Sequence, residues 1–287
     1  IAGWIFFRFS RLPALGIIAS ALMCAFPHMV LMFSSAYSEP LFILLLLSGG
    51  LCLFAYLSHE KLSILLISAV VIGMMPVTRY SGIAMVIAAG LSILLFSSGK
   101  TWSRVKKTVL FIFVASVPIL VWLPWVYFST AHTIGGRSLV LNWGAFAAQF
   151  QAFRGIFMDT VWKWIPFQSS ETLLRYRVRF ALMGVGLVII FALSILAEHR
   201  LRKDTAAAGR RSGSHIFTFF GLCSLTFMAV LIATYLFTYP TIDIDNRMLL
   251  PLYVCTVMTL LGGFSLWHSA WFRGRMRMLQ IFPWLIA

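Results

Sequence analysis

The sequence predicts an all-α fold, a polytopic transmembrane helical bundle, on three observations. Apolar runs recur along the chain at the length a spanning helix needs, about 20 residues. Charged residues make up 11% of the 287 residues, far below the share of about 25% in soluble domains, and the mean hydropathy is +0.93. The cations fall in short stretches between the apolar runs, the arrangement that orients membrane proteins. The formal charge of +15 therefore argues for a membrane topology and against a nucleic-acid partner. Cys24, Cys52, Cys223 and Cys255 all lie inside apolar runs without CxxC spacing, so neither a disulfide framework nor a zinc site is indicated.

Residues 1–7 read as the tail of a preceding span closed by Arg8 and Arg11, and complete spans are expected at residues 13–33 and 40–57. A connection at residues 58–61 leads to two shorter runs, 62–77 and 82–97, split by Thr78, Arg79, Tyr80 and Ser81. Each is about 16 residues, at the low edge of spanning length. A helical hairpin with its tip in the outer interface is expected; one long helix kinked at Pro76 is the competing arrangement. Residues 99–107 read as a basic loop with Lys100, Arg104, Lys106 and Lys107. The fifth span, residues 108–128, gathers Trp122, Trp125 and Tyr127 toward one end, as belt aromatics do.

The longest non-spanning stretch is the outer loop, residues 129–179. Within it Phe146, Phe150, Phe153, Phe157, Val161 and Trp164 recur at helical spacing between a capping Asn142 and a terminating Pro166. That pattern predicts an amphipathic helix lying flat in the interface. Spans six to eight are expected at residues 180–197, 216–237 and 248–267, separated by a basic connection, 199–215, and a short polar loop, 239–247. The total is about eight complete spans, with partial spans at both ends, in a single transmembrane domain over residues 1–287 and with no internal repeat. The chain starts at Ile1 without a methionine and stops at Ala287 inside a new apolar run, so it reads as a fragment of a longer protein.

Assigning the connections alternately to two sides places the clusters around Arg8, Lys61, Arg104, Arg200 and Arg275 on one side, which the positive-inside rule makes cytoplasmic. The other side receives Glu39, Arg79, the long loop and the stretch from Asp243 to Arg247. Three polar clusters thus face outward together.

Glu39 stands where an apolar run begins, and an ionised side chain deep in a bilayer costs about 2.5–3.5 kcal/mol or more, so it must stay at the boundary or find a partner. It could order an acceptor or pair with an arginine; as a structural residue it would serve the first turn of a helix beside Pro40. Arg79 could contact a phosphate, pair with Glu39 or snorkel to head groups. Asp243 and Asp245 are hard oxygen ligands that could hold a divalent ion, the one cofactor these residues suggest, or belong to an ordinary solvated loop. Arg247, at the mouth of the eighth span, is the stronger candidate for a lipid phosphate, whereas Arg175, Arg177 and Arg179 also serve as interface anchors. His28 reads as a histidine bonded to a neighbouring helix, and Trp162 and Trp164 as interface residues rather than a sugar platform.

The runs FPHMVLMFSSAYSEPLFILLLLSGGLCLFAYL and VVIGMMPVTRYSGIAMVIAAGLSILL resemble the integral-membrane GT-C glycosyltransferases. The likeness is greatest to bacterial relatives of the GPI second-mannose transferase, and looser to the protein O-mannosyltransferase and aminoarabinose-transferase groups. The family's Tyr-Ser/Thr-Glu-x-Leu-Phe signature matches Tyr37, Ser38, Glu39, Leu41 and Phe42, its Thr-Arg-x-x-Gly element matches Thr78, Arg79 and Gly82, and Arg247 with Pro251 resembles its Arg-x-x-x-Pro opening of a late span. The resemblance implies transfer of a sugar, mannose-like hexose or related, from a polyprenyl phosphate to a hydroxyl of a lipid, glycan or protein on the extracytoplasmic side of what would be a bacterial inner membrane. It implies a catalytic role for Glu39 and substrate contacts from Tyr37, Arg79, Tyr80, Asp243, Asp245 and Arg247. The family's usual catalytic acid sits in a first outer loop, which here would precede Ile1. A transporter or flippase of lipid-linked saccharides, and a polysaccharide polymerase or ligase, are the competing functions. Ionisable groups gathered at one interface favour the enzyme, because a transporter places them near the midplane.

Overall fold

A computed structural model of the chain describes residues 1–10, 12–26, 29–30, 33, 38–130, 138–139, 146–162, 212–239 and 246–271. In chain order these form α1 (Ala2–Phe9), α2 (Pro13–Ala25), α3 (Ser38–His59), α4 (Leu62–Gly73), α5 (Met75–Thr78), a 3-10 turn (Tyr80–Gly82), α6 (Ile83–Phe96) and α7 (Thr101–Thr130). There follow α8 (Phe146–Trp162), α9 (Ser212–Phe237) and α10 (Asn246–Trp271). One short antiparallel pair, β1 (Ser138–Leu139) with β2 (Thr238–Tyr239), sets Ser138 opposite Tyr239. Among the described residues four helices are long and apolar enough to cross a membrane: α3, α7, α9 and α10. The architecture is therefore a bundle of apolar helices compatible with an integral membrane protein. The expected spans at residues 40–57, 108–128, 216–237 and 248–267 fall on these four; the one at 180–197 lies outside the described residues.

Boundaries differ from expectation for local reasons. The run expected to span residues 13–33 is broken after Ala25, where α2 ends, because Phe26 precedes Pro27 and takes an extended conformation, φ −78° and ψ 111°; helix is found again at Met29 and Val30, whose N–H groups donate to the Phe26 carbonyl. The stretch 99–107, expected as a basic loop, is mostly the start of α7. Gly99, at φ +100°, and Lys100 lie before it, and lysine and arginine are good helix formers once past the turn. The connection before the hairpin shrinks to Glu60 and Lys61, with Glu60 in the left-handed region at φ 53°.

The hairpin itself forms. Its base is closed where Ser98 donates both its backbone N–H and its hydroxyl to the Glu60 carboxylate, which also pairs with Lys107 Nζ at 3.1 Å. A single kinked helix could not bring residues 60 and 98 together. At the tip, Gly82 packs directly on the backbone of Met75 and Pro76, where a Cβ would not fit. Gly73 gives α4 the same close approach to the backbone of Ala115 on α7.

Cross-links between helices give their directions. Phe54 on α3 meets the edges of Phe219 and Phe220 on α9, with ring centroids 5.5 and 6.0 Å apart, so the C-terminal end of α3 lies beside the N-terminal half of α9. Phe96 stands 5.0 Å from His215, and Thr226 Oγ1 donates to the Ala84 carbonyl at 2.9 Å, so α6 runs antiparallel to α9. Gly262 on α10 lies against the backbone of Phe217, and Phe26 after α2 stacks on Tyr253 at 4.2 Å. The core is built mainly of apolar side chains, from Phe6 and Leu53 to Met258, with Glu39, Ser68, Ser92 and His215 among the few buried polar ones. Of its apolar window, α10 buries 72% and α7 only 11%, so α7 lies at the periphery with Phe113, Val121 and Phe128 open to the surroundings.

Within the stretch 129–179 a helix, α8, is present, and its Phe153 is buried and stands 5.4 Å from the ring of Tyr235 on α9. Phe157 stacks beside Phe153 at 5.8 Å and packs against the core. These two positions of its apolar stripe face the bundle, while Phe150 is exposed.

Candidate functional site

The helix directions bring one set of termini together: the start of α3, the hairpin tip, the end of α9 and the start of α10. At about 1.5 Å per residue, the hairpin legs rise only about 20–25 Å from the Glu60–Ser98 end, whereas α7 beyond Lys107 and α9 beyond His215 each continue for about 33–35 Å. The described parts of α7 and α9 are thus longer than the hairpin legs by roughly 10 Å.

Glu39 and Arg79 meet at this end of the bundle. Glu39 sits in the first turn of α3 beside Pro40, which is suited to a position where no backbone N–H is required. It is 5% exposed, buried as few carboxylates are. Arg79 occupies the extended link between α5 and the 3-10 turn, φ −153° and ψ 133°; its N–H bonds the Met75 carbonyl at 2.9 Å, and its own carbonyl accepts from Gly82 N–H at 2.8 Å. This break in the hairpin directs the side chain to α3, where Nη1 meets Glu39 Oε1 at 2.7 Å. The pairing and the first-turn placement of Glu39, weighed separately from the sequence, hold together.

The pair is not saturated. Glu39 Oε2 is buried with no hydrogen-bond partner, and Arg79 keeps further guanidinium donors beyond Nη1. Tyr80, next to Arg79, is half exposed and turns instead to α7, where its ring tilts against Trp122 at 5.9 Å. A buried acceptor beside a guanidinium is a combination suited to a ligand with a hydroxyl and an anionic oxygen.

Of the other expected residues, Arg247 lies in the first turn of α10, at this same end of the bundle. Pro251 follows four residues later and offers no N–H to the Arg247 carbonyl, which loosens that turn. Tyr37, Asp243 and Asp245 lie outside the described residues, as do His28, Trp164 and Arg175, Arg177 and Arg179. Among the described residues no group of three or more His, Cys, Asp or Glu side chains is placed to hold a metal ion. An open groove of about 650 Å³ between α1 and α2, lined by Gly3, Trp4, Phe7, Gly16 and Ile17 among others, shares no residue with the polar cluster.

Comparison with protein-family models, with curated proteins and with solved structures returned no match.

Proposed function

We propose that the protein is a glycosyltransferase of the GT-C kind. It moves a mannose-like or related hexose from a polyprenyl-phosphate carrier to a hydroxyl acceptor on the extracytoplasmic side of a bacterial inner membrane. The full bundle then has about eight spans, with α8 lying along the outer interface. The observation that carries the reading is the ion pair itself: two motifs that resemble the family, Tyr-Ser-Glu-Pro-Leu-Phe and Thr-Arg-Tyr-Ser-Gly, supply Glu39 and Arg79 to one half-satisfied polar centre.

The chemistry asks for those groups. The acceptor oxygen bonds to the anomeric carbon and gives its proton to a general base, while the bond from that carbon to the carrier oxygen breaks and its electron pair leaves with the phosphate. A guanidinium steadies the departing phosphate because its planar fork matches the oxygens. In this scheme Arg79 and Arg247 take the phosphate, the free oxygen of Glu39 accepts a substrate hydroxyl, Tyr37 and Tyr80 line the sugar, and Asp243 and Asp245 lie at its mouth. A transporter of lipid-linked saccharides is the second reading, favoured by the break in the hairpin at Arg79, since such proteins build sites at discontinuous helices.

Incubating the protein in lipid nanodiscs with a panel of polyprenyl-phosphate sugars and mixed acceptors, followed by mass identification of products, separates the two. A new glycoside with release of polyprenyl phosphate is expected. Movement of intact donor across a vesicle bilayer with no new glycoside would replace the enzyme by the transporter.

A further inference from the structure

Cys223 and Cys255 each read from the sequence as a small side chain inside an apolar run, and the pairing of α9 with α10 sets them face to face. Gly262 of α10 lies against the backbone of Phe217 on α9, and about a turn further along α9 the Cβ position of Gly221 stands 3.6 Å from Thr259 Cγ2. Numbers thus rise along α9 as they fall along α10, and the next rung of that antiparallel register joins Cys223 to Cys255. There the two thiols are within hydrogen-bonding reach of each other; both are free and both are fully buried. A disulfide needs Cα atoms about 4.4–6.8 Å apart, and packing of helices through glycine is what brings two backbones so close.

The surroundings select the chemistry open to this pair. Both thiols lie in helices long and apolar enough to cross a membrane, about 10–12 Å from the start of the spanning stretch of each. A thiol oxidised alone becomes a sulfenic, sulfinic or sulfonic acid, a polar or charged group that an apolar interior disfavours. Two thiols oxidised together give a disulfide, which is neutral and apolar. We propose that Cys223 and Cys255 are a redox pair, which a lipid-soluble quinone oxidises to a disulfide that ties α9 to α10. Both S–H bonds break and one S–S bond forms, while the quinone takes up the two electrons and two protons and becomes a hydroquinone. The bond then fixes the body of α10 on α9 about two turns beyond Arg247, past the turn that Pro251 loosens. The inference does not depend on the sugar-transfer reading.

The test treats the folded protein in nanodiscs with decylubiquinone, then unfolds it in the presence of N-ethylmaleimide and maps its peptides by mass spectrometry. Most molecules should yield one linked pair of peptides, holding Cys223 and Cys255 and lighter by two hydrogens than the separate thiols, while Cys24 and Cys52 carry the maleimide. A second variant checks that the facing register is responsible. Leu225 is 60% exposed, on the side of α9 away from Cys223, so the double variant Cys223→Ala, Leu225→Cys should leave Cys255 unlinked. Absence of the linked pair from the quinone-treated protein would overturn the proposal. So would equal linkage through position 225, Cys24 or Cys52, because the register would then not be what joins the sulfurs.

Discussion

Glu39 and Arg79 contribute unequally to stability although they share one bond. The Glu39 side chain is 7% exposed and fixed by its place on α3, whereas that of Arg79 is 18% exposed and ends a long flexible stem. Removing the arginine strands a buried carboxylate, so Arg79→Ala should lower stability by about 3–5 kcal/mol. Glu39→Gln leaves an arginine able to turn its head toward the lipid phosphates, and should cost less, about 1–2 kcal/mol. Urea or thermal unfolding in micelles ranks the two; the reverse order would contradict this reading of the pair. At the other end, burial pushes the Glu60 carboxyl upward, but the N–H and hydroxyl of Ser98 and the Lys107 ammonium outweigh it and hold the group below its ordinary 4.5. A depressed carboxylate stabilises the folded state above its unfolded value and loses that contribution as pH falls through the folded one. Wild type should therefore lose thermal stability below about pH 4.5 by a margin that Glu60→Gln does not show; parallel profiles for both would rule out the clasp as the cause. The first pair was legible in the sequence, since an acid at the threshold of an apolar run demands a counter-charge. The clasp was not, because Glu60 and Ser98 lie 38 residues apart and each reads locally as an ordinary loop residue.

Among the elements, the hairpin is the feature on which the site depends, and its glycines show why. Gly73 touches the backbone of Ala115, so a side chain there would separate α4 from α7; Gly73→Val should destabilise by about 1–3 kcal/mol or more. Gly155 on α8 has nothing within 4 Å of where its Cβ would stand, and Gly155→Ala should stabilise by about 0.5–1 kcal/mol. Melting curves of the two variants check the contrast, and a tolerated valine at position 73 would mean that α4 and α7 do not pack as closely as described. Hydropathy alone found the cores of α3, α7, α9 and α10, because a long run of Leu, Ile and Phe admits little else. It misjudged ends. Pro27 stops α2 while the apolar run continues, and the lysines and arginines of residues 100–107 look like a loop although most belong to a helix that rises out of the apolar layer.

For the molecule as a whole, among the described residues Arg8, Lys61, Arg104, Lys106 and Lys107 lie at one end of the bundle, and the Glu39–Arg79 centre and the start of α10 with Arg247 at the other. The alternation of loops predicts that separation for these residues; the clusters around Arg200 and Arg275 and the pair Asp243 and Asp245 lie outside the described residues. The convergence of α3, the hairpin tip, α9 and α10 was only partly readable, because it depends on ring contacts such as Phe54 with Phe219 and Phe153 with Tyr235, which no local pattern announces. It brings Glu39 beside Arg79 and leaves one oxygen of the buried carboxylate without a hydrogen bond among the described residues. The most direct measurement is the rate of sugar transfer from a polyprenyl-phosphate donor by the protein and by its Glu39→Gln and Arg247→Ala variants, each reconstituted at equal membrane abundance. Both substitutions should reduce the rate by at least about tenfold, the loss expected when a group that stabilises the transition state by about 1.4 kcal/mol or more is removed. Transfer at the unaltered rate by both variants would contradict the account.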